Sequence, residues 1–263
     1  MSLDVEGLRA GLQERLRAVS LGRPAFIYES LPSTQDEARR RARQGAPEGT
    51  LVWALEQTAG RGRVGRAWVS ARGAGLWVSV ILRPRMAPHA VAFLTIVAGV
   101  GIAQGLAPLQ PSIRLKWPND LLVDDLKLGG ILAEAESEGE TLRHVVLGCG
   151  INLVPPSPSG ELAQATGLSH LRNGAPDPVE ALCLLLSGLE ATYRSYLESG
   201  AQAIRDAWLA RSATIGRQVQ AELGASQVIA GKAVDLDLEG SLVVEASRGQ
   251  RYRIASGEVI HLR

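Results

Sequence analysis

The hydrophobic pattern of this chain changes character near Ala213, from mixed helical and strand-like spacings to short alternating strands alone, and that change divides the fold into two unlike parts. Upstream, helical and strand-like spacings alternate. Val5, Leu8, Leu12, Leu16 and Val19 recur at three- and four-residue intervals and predict an amphipathic helix. A strand follows at 25–29. A second helix opens at Ser33-Thr34-Gln35-Asp36-Glu37 and runs to about 44, with Ser33 or Thr34 as N-cap and two acids at the positive end of its dipole. Strands are predicted at 51–56, 75–82, 113–117, 120–123, 126–136 and 141–153, and helices at 91–106, 178–198 and 201–211. Downstream the pattern is different. Short alternating strands at 218–222, 228–237, 241–246 and 251–255 are separated by glycine turns, which predicts a small β-barrel attached to an α+β domain. The division falls between 212 and 213, with a lone helix and linker over residues 1–22. A chain of 263 residues is long enough for both parts to bury a core.

Bulk properties narrow the function classes. Lys plus Arg number 28 against 27 Asp plus Glu, so the net charge of +1 argues against a protein that coats nucleic acid. Cys149 and Cys183 form no disulfide framework, which points to a reducing, cytoplasmic setting. The N-terminal segment is interrupted by charge and is not a signal peptide. The apolar stretch at 91–107 contains Gln104 and several glycines and reads as a buried helix, not a membrane span.

The charges are unevenly placed. From 57 to 119 there is no Asp or Glu, while Arg61, Arg63, Arg66, Arg72, Arg83, Arg85, Arg114 and Lys116 all fall there. Three of these arginines sit in Gly60-Arg61-Gly62-Arg63-Val64-Gly65-Arg66, a loop between two predicted strands. Glycines permit close backbone approach, and arginines neutralise carboxylate or phosphate, so the loop is expected to order around an anionic ligand. It matches G-x-G-x-x-G but is not a dinucleotide fingerprint, because no helix follows and no acid appears until Asp120. Lysine is scarce: Lys116, Lys127 and Lys232 are the three in the chain. Two of them flank Pro118-Asn119-Asp120, where a compact ammonium has a use that arginine does not serve.

Five segments in fixed order carry a family resemblance. They are Ser33-Thr34-Gln35; the run from Gln57-Thr58-Ala59 through the glycine-arginine loop to Ala67-Trp68; Lys116-Trp117-Pro118-Asn119-Asp120-Leu121; Lys127-Leu128-Gly129-Gly130-Ile131-Leu132; and Gly148-Cys149-Gly150-Ile151-Asn152. Together they resemble the biotin–protein ligases over about residues 26–263. The resemblance implies an α+β catalytic domain related to class II aminoacyl-tRNA synthetases, followed by an SH3-like barrel. It also implies two steps: biotin and ATP form biotinyl-5′-AMP, and a lysine of a biotin carboxyl carrier protein then takes the biotinyl group.

By the same resemblance, Ser33, Thr34, Gln35, Gln57, Gly60, Arg61, Gly62, Arg63, Lys127 and Gly130 are expected around biotin. Arg63, Arg66, Trp68, Lys116, Asn119, Lys127, Asn152 and Arg263 are expected around ATP. Lys127, Arg63 and Asp120 carry the chemistry, with Asp120 beside the incoming amine; Mg²⁺ arrives with the ATP phosphates and has no assigned protein ligands. Two departures stand out. About twenty-five residues precede the first core strand, too few for the helix-turn-helix domain of the bifunctional repressors, so a monofunctional ligase without DNA binding is expected. The C-terminal Gly257-Glu258-Val259-Ile260-His261-Leu262-Arg263 is one residue longer than the family pattern. Oligomeric state varies in the family, homodimers included. The nearest rival, a lipoate or octanoate ligase, would carry an Arg-Arg-x-x-Gly-Gly-Gly loop and lack Lys-Trp-Pro-Asn-Asp. Cys149 is expected to be a packing residue.

Overall fold

A computed structural model describes residues 4–16, 19–157, 164–170, 174–223 and 227–262. Its larger part is a seven-stranded mixed sheet in the order β1-β2-β3-β7-β6-β5-β4. The strands are β1 (Ala25–Tyr28), β2 (Leu51–Ala54), β3 (Gly75–Leu82), β4 (Arg114–Lys116), β5 (Asp120–Val123), β6 (Leu126–Glu138) and β7 (Thr141–Asn152). β1 and β2 run parallel because helix α2 (Thr34–Arg43) crosses between them; the other neighbours are antiparallel. Every residue of β3 is buried, which requires cover on both faces. Alternation divides the labour. Ile81 joins Ala38 and Ala42 of α2 on one face, while Val78, Val80 and Leu82 join the main core on the other.

The main core is closed by α3 (Val91–Gly105) and α4 (Pro178–Ser199). With the helical turn before it, α3 forms a span, Pro88–Gly105, long and apolar enough to cross a membrane by length and composition, yet most of that span is buried inside the protein. Its face toward α4 is made of small residues: a Cβ on Gly188 would lie 2.2 Å from Gly101 O and 2.7 Å from Gly105 Cα. The helices therefore meet backbone to backbone. α1 (Val5–Arg15) is capped by Asp4, whose Oδ1 accepts the Gly7 N–H at 2.7 Å. The segment after it is tied down by the buried Glu190 carboxylate, which accepts the Ser20 and Leu21 N–H groups at 2.6 and 2.7 Å.

After α5 (Gln202–Ala210) the chain enters an antiparallel sheet ordered β11-β10-β9-β8-β12. The strands are β8 (Gln218–Leu223), β9 (Gln227–Leu236), β10 (Leu242–Glu245), β11 (Arg251–Ile254) and β12 (Glu258–His261). β9 pairs with β8 up to Lys232 and with β10 from Lys232 onward, so one strand serves two hairpins and the sheet bends there. The sequence reading has four strands in this part and misses β12. Four residues at a sheet edge offer too little alternation to register: Val259 is buried while Ile260 is 44% exposed.

The two parts are joined along β4. Leu115 bonds through its backbone to Arg211 O and Ala213 N at 2.9 and 2.8 Å, which covers an otherwise open sheet edge. Beside it Trp117 donates its backbone N–H to Thr214 Oγ1 at 3.1 Å and its indole N–H to Gly240 O at 2.9 Å.

Candidate functional site

The C-terminal end of β2, the N-terminus of α2, the inner surface of β6 and β7 and the rim of the small sheet enclose a cleft of about 240 Å³. Into it come Ser33, Thr34 and Gln35 from the start of α2, and Gln57, Arg61, Gly62, Arg63, Arg66 and Trp68 from the loop. Lys116, Asn119 and Asp120 come from the turn between β4 and β5, Lys127 and Gly130 from β6, and Asn152 from β7. Gly60 stands just behind the wall. Arg263 lies outside the described residues.

The loop is a folded-back hairpin. Isolated bridges pair Gln57 with Ser70 and Arg61 with Ala67, and the Trp68 N–H donates to Gly60 O at 2.9 Å. A Cβ on Gly60 would sit 2.4 Å from Trp68 O, so the two legs can close only on glycine. At the tip Val64 and Gly65 both adopt positive φ, 54° and 72°, and Val64 is 85% exposed. The returning leg lays Trp68 against the glycines of β6 and β7. A Cβ on Gly150 would lie 2.6 Å from Trp68 Nε1, and one on Gly130 3.3 Å from the ring. Trp68 Nε1 is buried there with no hydrogen-bond partner among the described residues.

The cations occupy definite places. Lys127 Nζ lies 2.8 Å from Asp120 Oδ1 and 5.3 Å from the centre of the Trp68 ring. Arg61 reaches back to Asp36 Oδ1 at 2.5 Å and Glu134 Oε2 at 3.7 Å. Arg63 donates to Asn119 Oδ1 and to Gly257 O, both at 3.3 Å, and so links the loop to the small sheet. Two asparagines are already committed to backbone: Asn119 Nδ2 donates to Ile131 O and Asn152 Nδ2 to Thr166 O, both at 2.9 Å. Other members of the acid-free stretch face elsewhere. Arg83 donates to Ala42 O and Ala46 O at 2.8 Å and to Arg143 O at 3.1 Å, capping the C-terminal end of α2. Arg72 pairs with Glu29.

The opposite end of the cleft is neutral. Gln57 Oε1 accepts the Thr34 N–H at 2.9 Å, and Gln57 Nε2 donates to Ser70 Oγ at 2.8 Å. Gln35 Nε2 donates to Val146 O at 3.0 Å, with Gly148 leaving room for the amide. Ser33 stands at the N-cap position of α2 but makes no capping bond, and its buried hydroxyl has no partner among the described residues. Ser79 and Ser70 belong to this end and the sequence reading misses them. The signal for Ser79 is a lone hydroxyl inside the apolar run of β3. Gly257 and Val259 of the small sheet are also missed lining residues. Cys149 is buried and burial pushes its thiol up to about 12, which fits packing and not reactivity.

A cleft with neutral donors and acceptors at one end and Lys127, Arg63 and Lys116 toward the other suits a ligand with a polar uncharged head and an anionic tail, beside a second anion. The Biotin/lipoate A/B protein ligase family profile matches residues 27–152, and the Biotin protein ligase C terminal domain profile matches residues 214–262. The chain is 37% identical over 240 residues to the Bifunctional ligase/repressor BirA of Bacillus subtilis, covering 89% of this chain and 73% of that one. It is 36% identical over 272 residues to the Biotin--[acetyl-CoA-carboxylase] ligase of Mycobacterium tuberculosis, covering 99% of each. Among solved structures, the biotin protein ligase from Aquifex aeolicus in complex with biotin and ATP superposes with a TM-score of 0.77 at 26% identity, covering 92% of this chain and 99% of that one.

Proposed function

This chain belongs to the biotin protein ligase family, and on that premise we propose how its cleft divides the labour of an ATP-dependent ligase acting on a biotin carboxyl carrier protein. The carrying observation is the polarity of the cleft: uncharged hydroxyl and amide groups at the start of α2, and the Lys127–Asp120 pair with Arg63 at the far end. In the first step a biotin carboxylate oxygen attacks the α-phosphorus of ATP and pyrophosphate leaves. In the second a carrier lysine amine attacks the acyl carbon, AMP leaves with the bonding pair, and the amine sheds a proton.

Each step asks for groups that the cleft holds. Ser33, Thr34, Gln35 and Gln57 take the neutral ureido head, and Gly60 and Gly130 let Trp68 close over the biotin side of the cleft. Two anions must be pressed together in the first step, so the dominant cost is electrostatic. Arg61, Gly62 and Arg63 close over carboxylate and phosphate, and Lys127 follows the charge as it moves onto the phosphoryl oxygens. Arg66, Trp68, Lys116, Asn119, Asn152 and Arg263 serve the nucleotide. Asp120, released from Lys127 once phosphate takes that ammonium, orients or deprotonates the amine.

Among the described residues no group of three or more His, Cys, Asp or Glu side chains could hold a metal. Mg²⁺ therefore fits here as the counterion of ATP, with most of its ligands drawn from phosphate and water. We also propose a cytoplasmic enzyme, a reading supported by two cysteines without a disulfide framework, that does not bind DNA, a reading supported by the near-neutral charge. Biotin-dependent ATP–pyrophosphate exchange tests the assignment. Exchange with lipoate and none with biotin would reverse it, and an operator gel shift by the purified chain would refute the absence of DNA binding.

A further inference from the structure

At the neutral end of the cleft four side-chain oxygens stand in a row: Gln57 Oε1, Thr34 Oγ1, Ser79 Oγ and Gln35 Oε1. Each neighbouring pair is 3.0 Å apart, so the row contains three hydrogen-bond contacts. Both ends are acceptors whose direction is fixed. Gln57 presents its oxygen because that atom accepts the Thr34 N–H and its nitrogen donates to Ser70. Gln35 presents its oxygen because its nitrogen donates to Val146 O. The two hydroxyls between them own one proton each. Three contacts must share two protons, so the row is one donor short.

Existing partners decide where the shortage falls: Gln57 Oε1 already accepts the Thr34 N–H, while Gln35 Oε1 has the Ser79 hydroxyl as its one donor among the described residues. Ser79 is completely buried and Gln35 is 4% exposed, so Gln35 Oε1 depends on the Ser79 hydroxyl or goes unsatisfied. With the Ser79 proton committed to Gln35, Ser79 Oγ can satisfy its own lone pair by accepting the Thr34 proton. The deficit then lies between Thr34 and Gln57, and Gln57 is the half-buried member of a row that lines the cleft. Next to it the unpartnered Ser33 hydroxyl is a spare donor.

We propose that Ser79, completely buried between Thr34 and Gln35, is a specificity-determining positioning residue. It draws the Thr34 proton inward, so the cleft presents an acceptor pair that only a ligand bringing its own N–H can complete. The proposal rests on the biotin reading above and deepens it. A cyclic urea supplies N–H for the Thr34–Gln57 gap and a carbonyl for the Ser33 hydroxyl. A carboxylic acid whose far end is a hydrocarbon or a disulfide ring supplies neither, and would leave the Thr34–Gln57 contact without a proton.

A double-mutant cycle read by calorimetric biotin binding tests this. Ser79→Ala is expected to weaken biotin about tenfold with the KM for ATP unchanged, and Thr34→Val to weaken it more. In the Thr34→Val background Ser79→Ala should then cost nothing further, because the proton it directed is gone. Losses that multiply in the double variant would show a merely structural role and overturn the proposal, as would unaltered biotin affinity in Ser79→Ala. Should Ser79→Ala not fold, Ser79→Gly, which also removes the hydroxyl, replaces it in the same cycle, with the same outcomes deciding. Biotin binding absent from the unmodified chain would refute the ligase reading as well. Binding present with a multiplicative cycle would refute Ser79 alone.

Discussion

Lys127 and Asp120 hold each other at 2.8 Å inside the cleft, so each charge is compensated before any ligand enters. A phosphate that takes the ammonium frees the carboxylate, which ties the two proposed chemical steps to one ion pair. Lys127→Ala is expected to lower biotin-dependent pyrophosphate exchange by at least about a hundredfold. Lys232→Ala, on an exposed position of β9, should leave the rate near the unmodified value. Asp120→Asn should spare exchange and slow transfer to the carrier lysine, measured separately with preformed adenylate. At this scale much of the cleft was legible, because scarce lysines and clustered arginines are visible in composition. The partners were not. Nothing in the order of residues says that Arg61 reaches Asp36, or that Arg83 caps a helix, since those contacts depend on how α2 packs across the sheet.

α2 carries a compact charge network around Glu37, whose Oε1 accepts from Tyr28 Oη, Arg40 Nη2 and Arg41 Nε, all at 2.7 Å. The hydrogen bond from Arg40 is the largest influence and, with Tyr28 and Arg41, outweighs the effect of burial. The carboxyl falls from its ordinary 4.5 to about 2. A depressed carboxylate stabilises the fold above its unfolded value and loses that contribution as pH falls toward about 2. Glu37→Gln should therefore cost about 1 kcal/mol at pH 7, with the difference from the parent shrinking between pH 4.5 and 2 in denaturant titrations. Helix pairing is stricter. Gly188→Ala forces a methyl against the α3 backbone and should cost about 2–3 kcal/mol, read as a lower midpoint of unfolding. The helix and strand order was readable because each element kept its period over several turns or alternations. β12 was not, and neither was the change of partner at Lys232, because both are decided by pairing across the sheet and not by the strand's own pattern.

On the scale of the whole molecule, the small sheet acts as one wall of the cleft. A hydrogen-bond chain crosses the junction: Trp117 N–H donates to Thr214 Oγ1, which lies 3.1 Å from His261 Nε2. Burial, with Lys116 and Arg217 nearby, lowers His261 to about 4, so the ring is neutral at ordinary pH and shares one hydrogen bond with the Thr214 hydroxyl. Thr214→Val should raise the KM for ATP about tenfold with little change for biotin, and Thr214→Ser should restore it; equal changes for both substrates would argue against a local effect at the nucleotide end. The two-part layout was legible from the change in pattern, whereas this link depends on a residue from the missed strand.

One further consequence concerns light. Of the five tryptophans, Trp53, Trp77, Trp117 and Trp208 are no more than 2% exposed, while Trp68 lies partly open on the glycines of the cleft. Trp53, Trp77 and Trp208 stand away from the cleft, so a change in the protein's fluorescence on mixing with a ligand would come from Trp68 and from Trp117, which also lines it. The unlabelled enzyme thus carries its own optical gauge of cleft occupancy, and Trp68→Phe should reduce it to the share that Trp117 contributes.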